Sequence, residues 1–207
     1  MKITKFEQSC LLVEEGDNKL LIDPGTPFSN NHQISELGIL DAVLITHEHT
    51  DHFDANLCNN LPTHTDVYVN ESTSKQLSRQ VKIVGDGELI SVGNLSIKVI
   101  ELPHCLMPDG SEGPQNIGFL INDKLFHPGD GIELEGLSVE TLALPINGPD
   151  VSMKRAFQFA RQVSAQQAIA IHYDIFGANV DLYRDFAKRF NQPFELKVLQ
   201  HGESVEL

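Results

Sequence analysis

Residues 46–53 read Thr-His-Glu-His-Thr-Asp-His-Phe, placing three histidines and an aspartate within six positions directly after the apolar run 42–45. A solvated loop has no use for three imidazoles, and an apolar core rejects them unless each is satisfied. Metal ligation explains the residue types, because neutral imidazole and carboxylate are the usual donors to zinc, manganese and iron. Spacing explains the division of labour. In an extended segment residues two apart point the same way, so His47 and His49 converge on one ion. Asp51 and His52 follow where the chain turns and face a second. The helical alternative, two histidines four apart with a glutamate after the first, is absent. Any fold this chain adopts must therefore bring further donors to the end of the strand before His47.

Those donors are found in one kind of place. The patterning predicts strands over 3–8, 10–14, 19–23, 41–46, 67–70, 82–84, 88–92, 95–102, 117–121, 124–126, 141–144, 168–171 and 195–200. Helical spacing of apolar residues predicts helices over 152–166 and 179–190, and a weaker one over 71–80 with Leu77 as its apolar anchor. His104 follows the strand 95–102, Asp130 follows 124–126 in His-Pro-Gly-Asp, and His172 directly follows 168–171. Each sits at the carboxyl end of a strand, where α/β proteins gather their sites. Alone, His104 or His172 would be an ordinary structural histidine; their common placement argues for ligation.

Composition sets the frame. With 207 residues and 41% apolar content, the chain suits one globular domain, residues 1–207, with no linker or repeat dividing it. Strands early and interspersed helices late imply an α/β (α+β) class, with two sheets packed together and helices outside, a four-layer sandwich. The apolar runs are far short of the roughly 20 residues a membrane helix needs, and charges interrupt the N-terminal segment, unlike a secretory signal. Three cysteines without paired spacing point to a reducing, cytoplasmic setting. A formal charge of -14 disfavours nucleic acid and anionic lipid as partners, leaving a small-molecule substrate. Nothing in the pattern bears on a homo-oligomer.

The chain resembles the metallo-β-lactamase superfamily, and within it the branch of small metal-dependent hydrolases related to ascorbate-6-phosphate lactonase. The resemblance runs from Leu-Leu-Ile-Asp-Pro-Gly at 20–25 through the histidine cluster, Leu-Pro-His at 102–104 and Gly-Asp at 129–130. It continues through Ala-Leu-Pro-Ile-Asn-Gly-Pro at 143–149 to Ile-Ala-Ile-His-Tyr-Asp at 169–174. It implies an αββα sandwich with two divalent cations, zinc or else manganese or iron, at one edge between the sheets. His47, His49 and His104 would hold one ion, Asp51, His52 and His172 the other, and Asp130 would bridge them. Asp23 would support the histidine loop, and His127 would either orient Asp130 or simply pack.

The expected chemistry is hydrolysis of a small ester, lactone or phosphate-containing metabolite by a hydroxide that the two ions activate. Asp51 would hold the nucleophile and take its proton, and His172 or a neighbouring water would pass a proton to the leaving group. An iron-dependent oxidoreductase on the same scaffold is one alternative, and a non-catalytic metal-binding protein another. The polar loop 106–115 reads equally as a pocket wall and as a surface connection, and Asn147 and Gly148 as the opposite border. His201 and Cys105 read as structural rather than ligating, and His32 and His64 as exposed.

Overall fold

The computed structural model describes residues 1–175 and 177–207. Among them the strands form two seven-stranded sheets. The first contains β1 (Lys2–Lys5), β2 (Leu11–Glu15), β3 (Asn18–Ile22), β4 (Ala42–Leu44), β5 (Asp66–Val69), β6 (Lys82–Ile83) and, at the far end of the chain, β14 (Ser204–Glu206). The second contains β7 (Leu89–Val92), β8 (Leu95–Glu101), β9 (Ile117–Ile121), β10 (Leu125–His127), β11 (Thr141–Pro145), β12 (Gln167–Ile171) and β13 (Glu195–Lys197). Strand order is β14-β1-β2-β3-β4-β5-β6 in one and β13-β12-β11-β10-β9-β8-β7 in the other. Each sheet thus has a hairpin half and a parallel half: β3 to β6 run parallel, as do β10 to β13.

Side-chain alternation distributes the apolar residues into three layers of core. Between the sheets lie Ile3, Leu11, Val13, Leu20, Ile22 and Leu44 from one side and Ile97, Val99, Ile117, Phe119, Ile121 and Ile169 from the other. Behind the second sheet, Leu120, Phe126, Leu142 and Ala168 pack on helix α4 (Met153–Gln162) and helix α5 (Val180–Arg189). Behind the first, Leu12, Leu21 and Val43 pack on Phe53 and on the short helices α1 (Thr26–Ser29), with Phe28, and α2 (Ala55–Asn59), with Cys58. The result is the expected four-layer sandwich. The hydroxyl of Ser152 and the side-chain oxygen of Asn179 cap α4 and α5 by accepting from Arg155 and Leu182 amides. No helix of the described residues is long and apolar enough to cross a membrane.

The expected helix over 71–80 forms only one turn, α3 (Glu71–Ser74). Beyond it the Ser78 and Arg79 amides donate to Asn59 Oδ1, at 2.9 and 3.2 Å, instead of continuing the helical ladder. The Arg79 guanidinium satisfies the carbonyls of Cys58, Leu61 and Thr65 at 3.0–3.2 Å. Tertiary hydrogen bonds therefore outweigh a weak local preference. His201 precedes a further strand, β14, which the patterning does not predict.

The sheets are stitched together at one end. The Ile117 amide donates to Thr46 O at 3.1 Å, the His172 amide to Gln8 O at 3.0 Å, and Asn70 Nδ2 to Gln115 O at 2.7 Å. At this same end β4, β8, β10 and β12 terminate.

Candidate metal centre

The chain reaches this end in four places, and each delivers donors. The turn after β4 carries His47, His49, Asp51 and His52; the ends of β8, β10 and β12 carry His104, Asp130 and His172. Donor atoms of His47, His49, His104 and Asp130 lie within 4.8 Å of one another, and so do those of Asp51, His52 and His172. The Asp130 carboxylate lies between the two groups, its Oδ1 2.9 Å from His52 Nε2 and its Oδ2 3.2 Å from His172 Nε2 and 3.4 Å from His104 Nε2. The structure thus brings together all seven residues that the sequence singles out, in the two sets the resemblance implies.

Hydrogen bonds outside the cluster fix the imidazole tautomers. His52 Nδ1 donates to Asp23 Oδ2 at 2.8 Å, His104 Nδ1 to Cys105 O at 2.6 Å and His172 Nδ1 to Asn147 O at 2.7 Å. The Thr46 hydroxyl donates to Asp23 Oδ2 at 2.7 Å, so its oxygen accepts from His47 Nδ1 at 3.0 Å. Each neutral ring then turns its Nε2 lone pair toward carboxylate oxygens. Lone pairs facing lone pairs repel unless a proton or a cation lies between them. His47 Nε2, His104 Nε2 and Asp130 Oδ1 are buried with no hydrogen-bond partner. Asp130 Oδ1 lies 2.9 Å from His52 Nε2, an approach that is favourable only with a proton on His52 or a cation between the two. An unsatisfied buried polar atom costs about 1–3 kcal/mol, so three in one place fit a cation-binding centre.

Electrostatics agree with this. Burial, then charge on His52, pushes His47 down, and burial with His104 does the same to His49. Both rings therefore stay neutral, as ligation requires. Burial would also discharge His52 and His172, but Asp130 with Asp23 raises the first, and Asp130 with Asp51 pushes the second up to about 10. Without a cation these rings hold protons in its place. Burial opposes ionisation of Asp51, yet His172 and His52 hold its carboxyl well below the usual range, and the same imidazoles hold Asp130 low.

The supporting residues divide cleanly. Asp23 accepts from the Thr46 amide, the Thr46 hydroxyl and His52, and so ties the histidine turn to the end of β3. His127 does not touch Asp130: its Nε2 donates to Ser9 O at 2.8 Å, and its Nδ1 accepts the Gly129 amide at 3.2 Å. It orders the backbone leading to Asp130 rather than the carboxylate. Asn116 is not evident from sequence, since one polar residue before a strand carries no pattern. Its Oδ1 accepts the Asp130 amide, while Nδ2 donates to the carbonyls of Leu102 and Pro128 at 3.3 and 2.9 Å.

Cys105 lies outside the cluster; burial, then Asp130, pushes its thiol up to about 11, leaving it protonated at neutral pH. His201 pairs with Asp174 and Glu7. His32, expected to be exposed, packs between Phe6 and Phe28 and meets Glu7 at 3.0 Å; His64 is exposed.

A family model described as the Beta-lactamase superfamily domain matches residues 2–172. The chain belongs to the metallo-β-lactamase superfamily. Protein Rv0786c of Mycobacterium tuberculosis is 33% identical over 186 residues, covering 84% of this chain and 85% of that one. A protein of Alkaliphilus metalliredigens named UPF0173 metal-dependent hydrolase is 29% identical over 197 residues, 85% of this chain and 86% of its own. Among solved structures, the metallo-β-lactamase fold protein YhfI of Bacillus subtilis superposes with a TM-score of 0.76 at 18% identity, covering 100% of this chain and 98% of that one. The superfamily membership matches the two-sheet architecture.

Proposed function

We propose that the protein is a metal-dependent hydrolase of small, uncharged or cationic esters and lactones, working at a pair of divalent ions held by His47, His49, Asp51, His52, His104, Asp130 and His172. One observation carries this reading: the imidazoles His47, His52, His104 and His172 have their Nδ1 protons committed outward, so their Nε2 lone pairs and the two carboxylates converge on a space that only protons or cations can fill. The name of the Alkaliphilus relative supports it. When bound, such ions lower the pKa of water toward 7 and polarise a carbonyl.

The chain's own residues supply the rest. Asp51 is partly exposed where the other carboxylate is buried. It is therefore the group placed to hold the attacking water and receive its proton. His172 would have both ring nitrogens engaged, Nε2 toward the ion and Nδ1 on Asn147 O at 2.7 Å, so the proton would return to the leaving oxygen from Asp51 itself as the carbon–oxygen bond breaks. Beside His104 opens a cavity of about 1240 Å³ whose lining includes Asp86, Glu101, Glu112, Glu133 and Asp150. Its guanidinium, Arg155, is already paired with Asp150 and with Glu133 at 2.6 Å. Such a wall repels phosphorylated substrates, which is why uncharged or cationic ones are preferred. Part of the loop 106–115 lines this cavity.

Elemental analysis of the purified protein, followed by a screen of neutral lactones, neutral esters and phosphodiesters, tests the proposal. Zinc or manganese near two equivalents with lactone or ester turnover is the expected result. Stoichiometric iron with oxygen consumption and no hydrolysis would replace it with an oxidoreductase.

A further inference from the structure

We propose that Gln8 is a positioning residue that aims the Asp51 carboxylate into the metal centre, an inference resting on the reading of Asp51 as part of the metal-binding set. Gln8 lies in the turn between β1 and β2, in the other sheet from β12, and is fully buried. All four of its hydrogen-bonding groups are engaged. The backbone amide donates to Asp174 Oδ2, and the carbonyl accepts the His172 amide at 3.0 Å. The side-chain Oε1 accepts the Ile175 amide at 3.3 Å, and Nε2 donates to Asp51 Oδ2 at 3.1 Å. The amide has one orientation, because Ile175 offers a donor and the Asp51 carboxylate can only accept. A single residue thus sets both the backbone of His172 and the side chain of Asp51.

Two further features fit a positioning role. Gln8 has φ 57, a left-handed conformation that glycine adopts freely and a glutamine does not. Strain retained at a site residue points toward function rather than packing. The second feature is charge. Lys5 is also fully buried, its Nζ 2.7 Å from Phe6 O and 3.2 Å from Asp174 Oδ2. Its charge is spent on Asp174, one step away from Asp51. A cation directly on Asp51 would satisfy the carboxylate and compete with a metal ion, whereas the neutral amide of Gln8 orients it and leaves its charge available.

Titration of the chelated protein with cobalt(II), followed by visible absorption, tests this in Gln8→Met and Gln8→Gly. The first keeps length and burial and removes the donor; the second keeps both backbone hydrogen bonds and relieves the φ. In both, the weaker of the two cobalt equivalents should bind roughly 10–100-fold less tightly with an altered absorption spectrum, while chelated Gln8→Gly melts close to the parent. Affinities and spectra that match the parent in whichever variant folds would overturn the inference. A parent that takes up no cobalt overturns both this inference and the metal reading. A parent that binds cobalt but hydrolyses nothing refutes hydrolysis alone, and the variants' affinities still decide the role of Gln8.

Discussion

At the scale of single residues, the site separates groups that do chemistry from groups that hold them. On the proposed reading Asp51 belongs to the first kind, being the carboxylate that lies against His172 and is partly exposed. Asp51→Asn keeps its size and removes its charge and proton-accepting capacity. We expect kcat to fall about 10²–10⁴-fold, the range for a lost general base, measured on the best lactone or ester with metal content checked in the same sample. Asn116 belongs to the second kind. Asn116→Leu leaves the Leu102 carbonyl and the Asp130 amide without their partner, while the Pro128 carbonyl keeps the Gly131 amide at 3.2 Å. At about 1–3 kcal/mol for each of the two orphaned groups, a loss of at least about 2 kcal/mol in urea unfolding is expected; a smaller loss would mean that water replaces the amide. The contrast explains what the sequence reveals. Ligands announce themselves by residue type and spacing, as in the turn 47–52. Asn116, Thr46 and Gln8 do not, because partners such as the Leu102 and Pro128 carbonyls, the Asp23 carboxylate and the Ile175 amide become their neighbours only after folding.

At the scale of elements, close approach decides where a side chain is allowed. Gly25 abuts the histidine turn: a Cβ there would lie 2.3 Å from the Asp51 carbonyl carbon and 2.7 Å from the His52 amide nitrogen. Backbone cannot yield as a flexible side chain does, so Gly25→Ala must push the turn outward. Zinc affinity in a chelator competition should drop at least tenfold, while β3 and β4 remain paired by amide exchange; unchanged affinity would show that the turn has slack. Most strands were legible from alternation, and α4 and α5 from apolar residues at helical spacing. Elements set by tertiary contacts were not. The segment after Glu71–Ser74 gives up its helix to the hydrogen bonds of Asn59 and Arg79, and β14 exists because Ile3 and Thr4 offer an edge to Val205 and Ser204.

At the scale of the whole molecule, metal, protons and stability are linked through the same rings. Without metal, Asp130 and Asp51 push His172 up to about 10 against burial, above its unfolded value of about 6.5, and His52 is raised in the same sense. Such groups contribute stability that is fully present below the unfolded value and is lost as pH rises through the folded one. Asp51 and Asp130 are lowered; their contribution is present above about 3.9 and is lost as pH falls through their folded values. These four groups therefore make the metal-free protein weaken on the alkaline side, while His47 and His49, which are pushed down, withdraw stability as pH falls below about 6.5. Ligation runs the other way, because an ion must displace the protons that His52 and His172 hold, so its affinity rises with pH. Free metal at about 100 times its Kd adds about 2.7 kcal/mol, or roughly 5–10 °C in a chain of this size. The gap in melting temperature between zinc-loaded and chelated protein should therefore widen from about pH 6 to about pH 9. Scanning calorimetry at fixed free zinc measures it directly. A gap that stays level or narrows over that range would mean that protons and metal do not compete for these imidazoles, and the assignment of His52 and His172 as ligands would be lost.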